Sequence, residues 1–247
     1  MRIAIFGATS AIAEATARQW AGEGARFFLV GRKEIVLGDI AADLKARGAV
    51  EVMTRVADLA RLDGLGALCR EAEEAFQGID IALIAHGVLP NQVAVTTSVE
   101  ALIDNLTVNA MSPAGLMVEL GQIMRRQGHG SLVVLSSVAG DRGRPSNWAY
   151  GGAKAMLSVM GEGMALELDA SGVNVIVVKP GFVDTPMTAS FKKGLLWAKP
   201  EAIARSIVEA GKAGGNTRPI IYAPWFWRPI MLIIRLVPSP IFHKTKL

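Results

Sequence analysis

Cysteine is almost absent: Cys69 stands alone among 247 residues, which excludes a disulfide scaffold and any cysteine-built zinc site. Histidine is scarce as well. His86, His129 and His243 are too scattered for a metal cluster, and the last two read as solvent-exposed turn and tail residues. Charged residues reach only 19%, against 51% hydrophobic, so disorder is excluded and the chain can bury a full core. No apolar run attains the roughly 18–20 residues that span a bilayer. No charged-then-apolar leader precedes the strand-like Ile3-Ala4-Ile5-Phe6, so the expected location is a reducing cytoplasm. Acidic residues are missing from 218 onward, where Arg218, Arg228, Arg235, Lys244 and Lys246 stand. The net charge of +4 therefore belongs to the tail; the first 217 residues, with 21 basic and 22 acidic side chains, carry −1. Nucleic acid would want a basic patch with stacking aromatics on the body, and none is present. An anionic membrane or a phosphorylated substrate suits the tail better.

Short apolar runs alternate with helix-length amphipathic stretches. Strands are expected over 2–6, 26–30, 50–56, 80–85, 131–135, 173–178 and 219–222. Helices are expected over 11–21, 35–47, 62–76, 101–126, 150–170 and 200–213. Continuous runs such as Leu132-Val133-Val134-Leu135 suit strands buried on both faces, the mark of a parallel sheet covered by helices. The fold class is α/β, a single doubly wound domain with no repeat and no linker. Two segments break the alternation. Residues 185–199 lack acidic side chains and mix Phe191, Leu195, Leu196 and Trp197 with Lys192, Lys193 and Lys199; the other is the tail, 223–247. Both follow strand ends where such folds bind ligands.

The first strand runs into Gly7-Ala8-Thr9-Ser10-Ala11-Ile12-Ala13 and then a helix. Such a turn lets backbone N–H groups and the helix dipole receive a pyrophosphate, although an ordinary tight turn reads the same way. At the end of the second strand stands Arg32, where an acidic residue would grip the ribose of NAD. An arginine there, with Thr9 and Ser10, favours NADP(H) over NAD(H); a solvated surface arginine is the alternative. Tyr150 and Lys154 are four residues apart, on one helix face. A phenol ordinarily titrates near ~10, and a neighbouring ammonium together with an oxidised nicotinamide would lower it towards proton exchange at neutral pH, although a Tyr-x-x-x-Lys by itself is common and usually a solvated helix face. Ser137 ends a buried strand 13 residues earlier, where its hydroxyl would meet a carbonyl oxygen.

In that order and spacing, residues 1–190 resemble the short-chain dehydrogenase/reductase family. The resemblance implies a Rossmann-type NADP-binding domain over 1–222, with 223–247 as an apolar-basic extension. It implies a catalytic set of Asn109, Ser137, Tyr150 and Lys154, in which Asn109 holds a water of a proton relay. It implies cofactor contacts from Gly7, Thr9, Ser10, Ile12, Arg32, Asp58, Leu59, Ala85, Gly87, Tyr150, Lys154, Pro180, Gly181, Val183 and Thr185. This chain departs from the family in carrying Ala11 and Ala13 for glycines, and Ile84-Ala85-His86-Gly87 where Asn-Asn-Ala-Gly is usual. His86 reads as a satisfied buried or loop residue, with contact to the cofactor as the alternative. The activity implied is NADPH-dependent reduction of a ketone. The tail, with its Ala223-Pro224 strand exit and its Ile241-Phe242 element, is similar to that of a subgroup that works with a flavin oxidase on a polyprenyl-phosphoryl 2-keto-pentose. Expected partners are therefore a small-molecule or lipid-linked ketone, a partner oxidase, further copies of the chain, and the inner face of a membrane touched by a tail helix over 225–237. A steroid, fatty acyl or terpenoid ketone stays open, as does a non-catalytic NADP-sensing regulator.

Overall fold

In β1 (Arg2–Phe6) side chains alternate between two apolar surroundings, Ile3 and Ile5 on one face, Ala4 and Phe6 on the other; all four are buried. A strand apolar on both faces needs cover on both. The computed structural model, which describes residues 1–212, 219–242 and 244, has that cover. The strands β1, β2 (Arg26–Gly31), β3 (Glu51–Val56), β4 (Ile81–Ile84), β5 (Gly130–Leu135), β6 (Val173–Pro180) and β7 (Ile220–Ala223) form one parallel sheet, ordered β3-β2-β1-β4-β5-β6-β7. Helices α1 (Ala11–Ala21), α2 (Glu34–Ala46) and α8 (Pro200–Lys212) bury Trp20, Leu44 and Ile207 on one face. Helices α3 (Leu65–Phe76), α6 (Ser112–Gln127) and α7 (Trp148–Leu168) bury Phe76, Leu120 and Leu157 on the other.

The remaining helices are short: α4 (Gln92–Thr97), α5 (Val99–Leu106), α9 (Trp227–Leu236) and α10 (Ser239–Phe242). The uninterrupted helix expected over 101–126 is instead α5 and α6, divided by a π turn at Thr107–Met111. Periodicity alone does not reveal that widening. The helix expected from 62 opens with a 3-10 turn, Leu62–Gly64. Helix α4 was not expected; Asn91 caps it, its side-chain oxygen accepting from the N–H groups of Val93 and Ala94 at 3.0 and 3.3 Å. Other boundaries move by one or two residues. Ala213, Arg218, His243 and Lys246 lie outside the described residues.

Candidate active site

The sheet order reverses between β1 and β4, the point at whose carboxyl ends such folds bind their ligands. The turn after β1 passes hard against β4. Gly7 has a φ of +90°, and a Cβ there would stand 2.6 Å from the His86 backbone nitrogen, so only glycine fits. The Gly7 and Ala8 N–H groups donate to the Val30 carbonyl at 3.0 and 2.9 Å, tying the turn to β2. Ser10 caps α1 without committing its hydroxyl, which leaves it and the helix N-terminus for an anion. Ile12 is half-buried, and Ala13 is wholly buried, its methyl filling the helix–sheet contact. Arg32 is exposed beyond β2, with Thr9 against neighbouring Gly31, and it meets no acidic partner among the described residues. Asp58 is exposed beyond β3 and accepts from the Ala60 N–H at 3.1 Å; Leu59 is buried beside it. Ala85 is buried, its N–H donating to the Phe6 carbonyl at 2.8 Å.

Two spacings along the sheet, β5 and α7 bring three expected residues together. Ser137 follows β5, and its hydroxyl accepts from the Ala139 N–H at 3.1 Å while bonding to the Tyr150 phenol. Lys154 reaches back one turn below Tyr150. Its Nζ donates to the Leu135 carbonyl at 3.0 Å and lies 5.7 Å from the Tyr150 ring centre. Asn109 sits in the π turn, fully buried. Its Oδ1 accepts from the Val88 N–H at 2.9 Å, and its Nδ2 donates to the Val88 carbonyl and to Asn105 Oδ1 at 2.9 and 2.7 Å. The side chain is thus a brace on the segment after β4. Gly87 faces the same pair: a Cβ would lie 2.8 Å from Asn109 Oδ1 and 3.6 Å from Lys154 Nζ. A strained glycine turn, an open helix N-terminus, an unpaired Arg32 and this small-residue cradle fit a nicotinamide dinucleotide lying across this point of the sheet. Among the described residues no His, Cys, Asp and Glu side chains gather into a metal centre.

The third wall was not legible beforehand. Beyond Pro180, Gly181 is covered by the Trp227 indole, which occupies the place of a side chain: a Cβ would stand 1.9 Å from it. Trp227 meets the Phe182 ring edge-on at 5.6 Å, and Phe182 stacks on Trp197 at 5.4 Å. The segment after β6 and the tail, singled out separately in the sequence, therefore close on each other here. Val183 is buried and Thr185 half-buried; Thr185 Oγ1 lies 3.4 Å from Thr188 Oγ1. Trp227 and Met231 also pack on Val138, the residue after Ser137. Arg142 secures the far end of α9, donating to the carbonyls of Ile234, Arg235 and Val237 at 2.6, 3.2 and 2.5 Å, with Phe242 under its guanidinium at 4.0 Å. Asp141 is buried against Lys179 at 2.6 Å and accepts from the Tyr222 hydroxyl at 2.7 Å. The adjacent Asp141-Arg142 in the sequence was the one available signal, since nothing in it names their partners.

Burial dominates the electrostatics. It pushes the Tyr150 phenol up to about 12, the Ser137 hydrogen bond opposing, and pushes Lys154 down to about 8. Of the expectation that Lys154 and an oxidised nicotinamide together lower the phenol, the lysine's part is corrected: desolvation outweighs an amine bonded to a carbonyl and set below the ring. His86 is pushed down to about 3, by burial first and then by the Lys154 charge, and stays neutral; its Nε2 lies 3.0 Å from Ser112 Oγ.

The short chain dehydrogenase family pattern matches residues 2–195. An uncharacterized oxidoreductase of Mycobacterium tuberculosis is 34% identical over 98% of this chain and 96% of its own length. One of Streptomyces coelicolor is 32% identical over 97% and 94%. These alignments run through the tail, which the family pattern does not reach. Among solved structures, an actinorhodin polyketide ketoreductase with NADPH superposes with a TM-score of 0.80 at 20% identity, covering 90% of this chain and 95% of that one. An alcohol dehydrogenase of Thermococcus sibiricus with 5-hydroxy-NADP gives 0.78 at 23% identity, covering 90% and 95%. At these identities the likeness shows a shared fold.

Proposed function

The chain belongs to the short chain dehydrogenase family and is an NAD(P)-type oxidoreductase, and from that premise we propose that it is an NADPH-dependent ketoreductase acting on an apolar, lipid-linked ketone. The observation that carries the reading is a Ser137–Tyr150–Lys154 cluster whose outer wall is an apolar-basic helix, α9, seated on Val138 and Gly181. Arg32, exposed and unpaired, supports the choice of NADPH, because a guanidinium suits a 2′-phosphate. The substrate class that joins these features is a polyprenyl-phosphoryl 2-keto-pentose, as in the decaprenylphosphoryl-2-keto-pentose reductases that the tail resembles. A partner oxidase would supply that ketone.

Gly7, Ser10 and the α1 N-terminus would hold the pyrophosphate, and Lys154, beside Gly87, the nicotinamide ribose. The bound cofactor supplies hydride to the carbonyl carbon. Ser137 holds the carbonyl oxygen, and Tyr150 donates the proton to it. A phenol held near 12 keeps its proton at neutral pH, so Tyr150 carries the proton that reduction requires. A water on a π-turn carbonyl would return the proton through Lys154.

Helix α9 is apolar twice over: Trp227 and Met231 face the body, while Leu232, Ile233 and Leu236 face outward beside Arg228 and Arg235. That outer face suits an anionic lipid surface, from which a lipid-linked ketone would be drawn. No described helix is long and apolar enough to cross a membrane. A second copy would cover the apolar groove between α3, α6 and α7, lined by Leu62, Met111, Val118 and Met160. The test is NADPH oxidation with a panel of ketones. Tyr150→Phe should lose at least about 10²-fold in turnover with NADPH binding retained; undiminished turnover would overturn the assignment.

A further inference from the structure

The loop from Ser137 to Tyr150 begins and ends on the two reactive hydroxyls, so whatever it carries stands at the substrate's mouth. Its middle is held on both sides. Arg142 is spent on the α9 carbonyls, and the Asn147 N–H closes a turn onto the Arg144 carbonyl at 3.1 Å. Between them Arg144 is half-buried, and among the described residues its guanidinium has no carboxylate and no hydrogen-bond acceptor. Buried charges are ordinarily paired, because a desolvated cation without a partner is costly. Burial does lower the affinity of Arg144 for its proton, and no neighbouring charge opposes it. A further polar atom on the same turn is orphaned: Asn147 Oδ1, buried and without a hydrogen-bond partner. Asp141, the nearest acid in the chain, is neutralised by Lys179 and Tyr222.

We propose that Arg144 is the anion-recognising residue of the substrate site, pairing with an oxyanion, a phosphoryl group above all, carried by the ketone. The cofactor's own phosphates are poorly placed to be that partner. The 2′-phosphate subsite at Arg32 follows β2, three strand spacings from β5, about 14 Å along the sheet. A planar guanidinium can grip a phosphoryl group through two parallel hydrogen bonds. An amphiphilic substrate would then set its oxyanion on Arg144, its ketone between Ser137 and Tyr150, and its apolar chain along α9. The inference rests on the ketoreductase reading and adds to it the charge of the substrate and the residue that reads it.

The full-length protein saturated with NADP⁺ is titrated with decyl phosphate, decanol and inorganic phosphate, each followed by calorimetry. Decyl phosphate should bind at least about tenfold more tightly than decanol, and inorganic phosphate more weakly than decyl phosphate. Arg144→Gln should abolish the preference, and Arg144→Lys should keep part of it. In parallel, phenylglyoxal labelling of the unaltered protein, mapped by peptide mass spectrometry, should be slowed at Arg144 by decyl phosphate and not by decanol. That arm holds even if a variant fails to fold. No preference for the phosphate ester, an undiminished preference in a folded Arg144→Gln protein, or labelling of Arg144 indifferent to decyl phosphate would each overturn the proposal. Inorganic phosphate binding as tightly as decyl phosphate would overturn the amphiphilic part of it. Failure of the ketoreductase reading looks different: no ketone is reduced, while the binding preference is intact.

Discussion

Lys154 shows how one residue carries a structural cost and a chemical purpose together. Its amine is buried, bonded to the Leu135 carbonyl, and held down to about 8 from an ordinary 10.5. The unfolded chain therefore binds the proton more tightly than the folded one, and stability rises with pH between about 8 and 10.5 as that mismatch disappears. Denaturant unfolding of the native chain and of Lys154→Met, compared across that window, should show the native chain gaining stability relative to the variant as pH rises. Parallel curves would mean that the amine is not desolvated. Arg32 is the opposite case, exposed and unpaired. Arg32→Asp places a carboxylate where a 2′-phosphate would sit, adding repulsion to the loss of attraction. The ratio of NADPH to NADH affinity, read by fluorescence titration, should fall by at least about tenfold; an unchanged ratio would make Arg32 a surface residue.

At the scale of elements, the tail is the feature that sets this chain apart from a plain doubly wound domain. Its seat depends on Gly181, since any side chain there would collide with Trp227. Gly181→Ala should therefore lift α9 from Val138 and cost about 1–3 kcal/mol, the usual range for overpacking. Limited proteolysis should then cut within 225–242, where the unaltered protein resists; equal resistance would show that the indole has room to move. The outer face of α9 makes a separate prediction. Leu232 and Leu236 are 59% and 72% exposed, so aspartates there should leave the fold intact. The Leu232→Asp, Leu236→Asp protein should lose flotation with anionic vesicles. If the native chain ignores such vesicles, the face does not meet lipid.

The whole molecule assembles its site from segments far apart in sequence, because a parallel sheet sends every strand's carboxyl end to one edge. Strands β1 and β2 bring the glycine turn and Arg32, β5 and α7 the Ser137 and Tyr150 hydroxyls, and β6, β7 and α9 the wall. The opposite side of the molecule carries apolar residues of another kind. Val159 and Leu166 project from α7 at 68% and 80% exposure, on one of the helices proposed to pair with a second copy. Val159→Asp combined with Leu166→Asp should reduce the mass seen by light scattering to that of one chain. An unchanged mass would move the interface elsewhere.

Periodicity and chain order were enough to read the doubly wound sheet, since runs such as Val175-Ile176-Val177-Val178 have only one stable use, burial on both faces. The spacing placed Tyr150 and Lys154 on one helix face after the strand end at Ser137, and the family resemblance is what marked the three as a set. The sequence could not reveal what depends on contacts between distant segments. Asn109 as a brace on Val88, Arg142 on the carbonyls of α9, and the buried Lys179–Asp141–Tyr222 cluster join residues between 21 and 95 positions apart, only after folding brings them together. Sequence spacing encodes local geometry, whereas desolvation and pairing depend on the tertiary surroundings. For that reason the sequence marked Lys154 as a cation near a phenol, and only the folded chain decided that both groups are buried, which raises the phenol and lowers the amine.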